Sequence, residues 1–152
     1  MIALDDMDRA ILRALIADGS RGAKEVGGIV GLSQPAAWRR IRRLEEAGVI
    51  RGRRLVLDRE KLGFSVVVFL GVRLAAKGRL DLDAFERAVQ AIPEVLLVQH
   101  VLGIYDYRLK VVARDLSDFE RILRRRIMTL PGVGQVESNV MLSEETVAGP
   151  RI

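Results

Sequence analysis

The chain contains no cysteine, which removes disulfides, zinc–cysteine sites and thiol nucleophiles from consideration and fits a reducing compartment. Histidine is nearly missing as well. His100 stands alone, so an imidazole-based metal site or a nucleophile–histidine triad would need partners that the chain lacks. Aromatic residues make up 5% of the sequence, with one tryptophan, Trp38. No apolar run reaches the ~18 residues needed to span a bilayer. The longest, GFSVVVFLGV at 63–72, is far too short. Asp5, Asp6 and Asp8 sit where the basic segment of an export signal would be. These absences predict a soluble cytoplasmic protein with no membrane partner, no metal and no cofactor.

What is present is an ordinary globular composition: 152 residues, 49% hydrophobic and 30% charged, enough for one domain or two small ones. Net charge is +5, unevenly spread. Residues 1–61 hold 13 Lys+Arg against 9 Asp+Glu, whereas residues 62–152 hold 12 against 11. The excess concentrates at 33–54, SQPAAWRRIRRLEEAGVIRGRR, where seven of 22 residues are arginine. A local basic patch is the footprint of a polyanion partner, or else a solvated arginine face.

Up to about residue 50 the pattern is helical. Asp5 is placed to cap a first helix, with Asp8 three positions on and Ile11, Leu12 and Leu15 as its apolar stripe. Asp18-Gly19-Ser20 ends it. A short second helix over Ala23 to Val30 has Val26, Ile29 and Val30 to bury, and Gly31 breaks it. Ser33 caps a third helix that runs to Glu46 or Ala47. At ~100° per residue, Ala37, Ile41 and Leu44 share one face of that helix. Pro35, Ala36, Trp38, Arg39, Arg42 and Arg43 spread over the opposite side, with Gln34 and Arg40 flanking the buried stripe. A short helix, a tight turn and a third helix with a basic outer face make a helix-turn-helix. The first turn of such a helix enters the major groove, where Gln reads adenine, Arg forks onto guanine, and Ala or Pro touches a thymine methyl. Ser33, Gln34, Pro35, Ala36, Trp38, Arg39, Arg40, Arg42 and Arg43 are therefore the candidate contacts to double-stranded DNA. Arg51, Arg53 and Arg54 add phosphate contacts. Trp38 has two readings: half-burial beside the stripe, or contact at the groove edge.

After residue 62 strands and helices alternate. Strands are expected over 64–74, in VLLVQHVLG and YDYRLKVVA on either side of a turn near Gly103 to Asp106, and over 133–142. Helices are expected over 80–92, stopped by Pro93, and over 116–130 with Ser117 as cap. The order β-α-β-β-α-β is ferredoxin-like. The whole is an α+β chain: a helix-turn-helix domain over 1–50, a linking segment over 51–62, a second domain over 63–145 and a tail over 146–152. The strands at 64–74 and 95–103 read as apolar on both faces, more than helices on one side could bury, so the spare face should meet a second copy.

LDxxDxxIL at 4–12, LS at 32–33, RRIRRLEEAGVI at 39–50 and LGF at 62–64 together resemble the Lrp/AsnC family of transcription regulators. LGIYDYRLKV at 102–111 and LPGVGQVES at 130–138 resemble the family's effector domain. The resemblance implies a winged or extended helix-turn-helix and a linking strand. It also implies a ferredoxin-like domain that dimerises through its sheet, assembly of dimers to octamers, and tuning of DNA binding by a small amino acid. It places the chain in the nucleoid. It implies that Leu102, Gly103, Ile104, Tyr105 and Asp106, with Ser138 and Asn139, receive the amino acid, Asp106 meeting its ammonium group and turn N–H groups its carboxylate. On the residues alone, Asp106 is equally a turn former. Val26-Gly27, followed by Gly28, stands where the family usually has a Leu-Ala pair. Sirohaem decarboxylases resemble the same architecture, but GIYDY holds an acid and no His where a polyanionic tetrapyrrole would be gathered. An amino-acid sensor without DNA binding is a further alternative, against which the intact arginine face speaks.

Overall fold

The computed structural model describes residues 3–75 and 78–144. They divide into two compact units, the first running to Val56 and the second from Leu57 to Glu144. The boundary falls inside the expected linking segment. The tail over 146–152 lies outside the described residues.

Three helices build the first unit: α1 (Asp6–Ala17), α2 (Ala23–Val30) and α3 (Gln34–Glu46). Asp5 caps α1 in a capping box, accepting the Asp8 N–H while the Asp8 carboxylate accepts the Asp5 N–H. The core gathers Ile11, Leu12, Ala14, Val26, Ile41 and Leu44. Ile29, expected inside, is exposed, because the eight residues of α2 turn only Val26 and Gly27 fully inward. Residues 51–58 form no strand, and no other segment among the described residues pairs with them.

The Gly27-Gly28 pair has two different causes. The Leu32 N–H donates to the Gly27 carbonyl at 2.8 Å, closing the tight turn between α2 and α3. A Cβ on Gly27 would stand 2.6 Å from the Leu32 carbonyl oxygen, a backbone atom that cannot step aside without moving α3. A Cβ on Gly28 would meet nothing.

The second unit is one antiparallel sheet with helices on one face. Its strands β1 (Val66–Leu74), β2 (Val95–His100), β3 (Tyr107–Ala113) and β4 (Val133–Val140) lie in the order β2-β3-β1-β4. Helices α4 (Arg79–Gln90) and α5 (Leu116–Ile122) cross over between strands, completing the expected ferredoxin-like topology. Val68, Leu70, Val72 and Leu74 alternate toward the helices, meeting Phe85, Val89, Phe119, Ile122 and Ile127. The cap of α5 is Asp115, whose carboxylate accepts the Asp118 N–H at 2.7 Å, and not Ser117. Beyond α5 the chain widens into a π-turn, Leu123–Ile127. Five α-helical steps would set Ile122 and Ile127 ~140° apart. The wider turn brings both inward, and both are buried.

The open sheet face is less apolar than β1 alone suggested. Phe69 lies there under the cations of Arg108 and Lys110, 5.8 and 5.6 Å from its ring centroid.

The two glycines should respond oppositely to alanine. Gly28→Ala should stabilise the chain by up to about 1 kcal/mol, the helix-propensity difference. Gly27→Ala should destabilise it by about 1–3 kcal/mol as overpacking. Urea unfolding of both variants followed by circular dichroism measures the pair.

Candidate functional site

On α3, Ala37, Ile41 and Leu44 pack inward as the wheel predicted. Ser33 caps the helix, its Oγ accepting the Ala36 N–H at 3.4 Å, and Pro35 follows in the first turn with no N–H to give. The N-terminal turn therefore offers a phosphate few free donors, whatever its dipole contributes. Gln34, Pro35, Trp38 and Arg39 are exposed and Ala36 is half-buried. Trp38 is 55% exposed, so its indole is half-covered and half open to solvent. The Arg42 guanidinium lies 5.7 Å from the centroid of its ring, holding the indole against the helix.

The arginines divide into two sets. Arg40 donates to Asp5 at 2.7 Å and to Asp8 at 2.9 Å, and Arg43 donates to the other oxygen of Asp8. Asp8 is fully buried, the one buried charged residue among those described. Both its oxygens are used: Oδ1 by Arg40, Oδ2 by Arg43 and the Asp5 N–H. The Arg40 guanidinium, and next the Asp8 N–H, hold the Asp5 carboxyl down at about 2. Arg40 and Arg43 were read from sequence as DNA contacts, but both are drawn back onto the start of α1. Charge three positions apart on one helix and a capping box on another match because each presents one helical turn. Arg39, Arg51 and Arg54 have no carboxylate partner among the described residues, and Arg42 has only a 3.4 Å contact to Glu46, one turn along.

In the second unit the turn after β2 is pinned from several sides. The Asp106 N–H donates to the Val72 carbonyl at 2.9 Å, and its carboxylate accepts the Leu74 N–H at 2.8 Å. Arg73 holds the Ile104 carbonyl with two donors, at 3.0 and 2.7 Å. Asp106 thus braces the end of the β1–β3 ladder, which is the turn-former role. Leu102, Gly103 and Ile104 project into solvent. Tyr105 folds back over the sheet and donates its hydroxyl to Glu137, which raises its pKa above the usual phenol value. Ser138 pairs with Leu70 and Asn139 with Phe69, so strand alternation sends them to opposite faces. Tyr105 and Asn139 line one cavity of about 190 Å³ with Phe69, Leu70, Gly71 and Arg108, and Ser138 does not join it. His100, exposed at the end of β2, stacks on the Tyr107 ring at 4.7 Å.

Residues 4–45 match the AsnC-type helix-turn-helix domain, and residues 67–148 match the Lrp/AsnC ligand binding domain. The chain belongs to the Lrp/AsnC family. Among its Lrp/AsnC relatives, the proline dehydrogenase transcriptional activator of Rhizobium radiobacter is 34% identical over 146 residues, covering 96% of this chain and 94% of the relative. The leucine-responsive regulatory protein of Escherichia coli K12 is 34% identical over 141 residues, covering 93% and 86%. A Neisseria meningitidis transcriptional regulator solved in complex with L-Met superposes with a TM-score of 0.90 at 27% identity, over 97% of both chains. Among the described residues no helix of this Lrp/AsnC protein is long and apolar enough to cross a membrane.

Sequence reading missed Asp8 as a partner of α3 because the pairs span 32 and 35 residues. The one signal was the coincidence of an acidic α1 start with arginines beside the buried stripe of α3.

Asp8→Ala should cost about 2–4 kcal/mol, since it strips two guanidinium contacts and half a capping box from a buried position. Asp5 should make the stability pH-dependent. Its folded pKa lies below its ordinary 3.8, so its contribution is complete above pH 3.8 and is lost as pH falls through about 2. Thermal unfolding of wild type and Asp5→Asn from pH 7 to pH 2 should show two melting temperatures that differ at neutral pH and converge in acid.

Proposed function

We propose that this Lrp/AsnC protein is a sequence-specific DNA-binding transcriptional regulator whose operator binding or assembly responds to a small amino acid. The observation that carries this is the outer face of α3, where Gln34, Trp38, Arg39 and Arg42 are exposed while Asp8 fixes the helix from behind. In the major groove, Gln34 and Arg39 are the base readers, and Pro35 and Ala36 supply methyl contact. Arg42, Arg51 and Arg54 neutralise phosphates. Trp38 lies flat against sugar at the groove edge.

The amino-acid response belongs to the second unit. A relative complexed with L-Met supports it, as does a polar-rimmed cavity beside the GIYDY turn. In this reading Tyr105 and Asn139 contact the ligand, and Asp106 keeps the turn in place.

The sheet face carrying Phe69 between the cations of Arg108 and Lys110 is the surface that meets a second copy in a homodimer. The acidic turn and the names of the relatives given above, transcriptional regulators, favour a role in regulation over catalysis.

Salt dependence tests the DNA assignment. Each arginine that reaches a phosphate contributes roughly one unit to the slope of log K against log salt. Arg39→Gln and Arg42→Gln should weaken binding to a duplex of mixed sequence, Arg42→Gln lowering the slope by about one. Arg40→Gln and Arg43→Gln should leave the slope unchanged and lower the melting temperature instead. Equal binding by the Arg39 and Arg42 variants and wild type would remove α3 from the interface.

A further inference from the structure

Just beyond the end of α3 the chain runs Arg51-Gly52-Arg53-Arg54. The start of this arm is anchored. The Val49 and Ile50 N–H groups both donate to the Leu44 carbonyl, at 2.9 and 3.1 Å, and Ile50 packs on the core of the first unit. Its middle is tied as well, since the Arg53 guanidinium donates at 3.0 Å to the Arg21 carbonyl, between α1 and α2. The arm therefore belongs to the helix-turn-helix unit. Yet all four of its residues are exposed, and neither Arg51 nor Arg54 has a carboxylate partner among the described residues. Two unneutralised guanidinium groups thus stand at the exit of α3.

Gly52 lies between them. Its φ of 148° is in a region that side chains rarely adopt. A Cβ there would meet nothing within 4 Å, so no described atom of the chain needs the space that the glycine leaves. A glycine in open space suits a close approach of the backbone to something outside the chain. Lengths narrow down what that is. The 13 residues of α3 span about 20 Å. With the first turn of α3 in the major groove, its far end emerges beside a phosphate row. Four extended residues reach about 13 Å further. The minor groove on the other side of that row is about 6 Å wide. Arginine is drawn into that groove where it is narrow, over A·T runs, because both phosphate rows then lie close to the guanidinium. The charge neutralisation given above to Arg51 and Arg54 is kept there and gains a base preference.

We propose that Arg51-Gly52-Arg53-Arg54 is a second DNA-reading element, an arm that sets its backbone against the minor groove at Gly52 and inserts Arg51 and Arg54 over A·T base pairs. What distinguishes the pairs in that groove is the guanine N2 amino group, which G·C presents on the groove floor and A·T lacks. The proposal rests on the DNA-binding reading above and extends it from one groove to two. It makes the operator A·T-rich beside the position of α3, at base pairs that Gln34 and Arg39 do not touch.

Two duplexes of one length and sequence, with guanine in one and hypoxanthine in the other, separate the grooves. Hypoxanthine keeps N7 and O6 in the major groove and lacks the N2 amino group in the minor groove. In fluorescence anisotropy at one salt and one protein concentration, the full chain should bind the hypoxanthine duplex at least about five-fold more tightly, the lower end of what one misread base pair costs. The double variant Arg51→Gln, Arg54→Gln should bring the two affinities within about two-fold of each other, with the melting temperature unchanged because both side chains are exposed. Arg42→Gln should weaken binding to both duplexes and keep their ratio. Equal wild-type affinity for the two duplexes would overturn the arm and leave α3 as the DNA site. A double variant that weakens both duplexes by one factor and keeps the wild-type ratio would reduce Arg51 and Arg54 to phosphate contacts and also overturn it. Light scattering accompanies the titrations: a double variant that loses the preference together with its oligomeric mass would assign the arm to contact between copies, against the proposal. Failure of wild type to bind either duplex would overturn the DNA-binding reading as well.

Discussion

The first unit depends on one buried carboxylate. Asp8 has no exposed surface, and a charge in that position is tolerable only with compensation from every side. Compensation comes from two arginines of α3 and from the N–H of Asp5. The apolar contacts of Ala37, Ile41 and Leu44 are non-directional and leave α3 some freedom to roll on the core. Hydrogen bonds to both oxygens of one carboxylate do not. Asp8 therefore fixes the rotation of α3, and with it which side chains face outward. The same bonds tie the guanidinium groups of Arg40 and Arg43 to the start of α1, which Arg39 and Arg42 do not reach.

The second unit is built on a different constraint, a sheet covered on one face. Alternation along β1 commits Val68, Leu70, Val72 and Leu74 to the helices and leaves Val67, Phe69, Gly71 and Arg73 on the other side. Cations lie over the aromatic residue of that open face, and a tyrosine lies over its glycine. Such a surface is poor as a core and well suited to binding something small and polar, or to meeting a matching surface. Burial and the Glu86 carboxylate both push the Tyr107 phenol up, so that residue stays a neutral donor to Glu86 on the helical side. The two tyrosines flanking Asp106 thus serve opposite faces of one sheet.

Much of this was legible before the structure. Helix limits followed from Asp5, Ser33 and the glycines, because caps act within three residues. The β-α-β-β-α-β order followed from periodicity. What could not be read were relationships between distant residues. Nothing in the vicinity of Arg40 and Arg43 announces a carboxylate more than thirty positions away. Ser138 and Asn139 looked like joint lining residues, yet strand alternation separates them. The cap of α5 shifted from Ser117 to Asp115 because two polar residues competed and the carboxylate won. Residues 51–58 form no strand among the described residues because an extended segment becomes one only when another pairs with it.

Asp8 divides the arginines of α3 into two sets, Arg40 and Arg43 that hold the helix and Arg39 and Arg42 that are proposed to reach DNA. Side-chain NMR of ¹⁵N-arginine-labelled full chain, with and without duplex DNA, tests it without any substitution. The Arg40 and Arg43 guanidinium signals should be protected from exchange in the free protein and should stay in place when DNA is added, while those of Arg39 and Arg42 and the Trp38 indole signal move. An Arg43 signal that exchanges freely in the absence of DNA and shifts together with Arg39 on its addition would show that Asp8 does not divide the arginines.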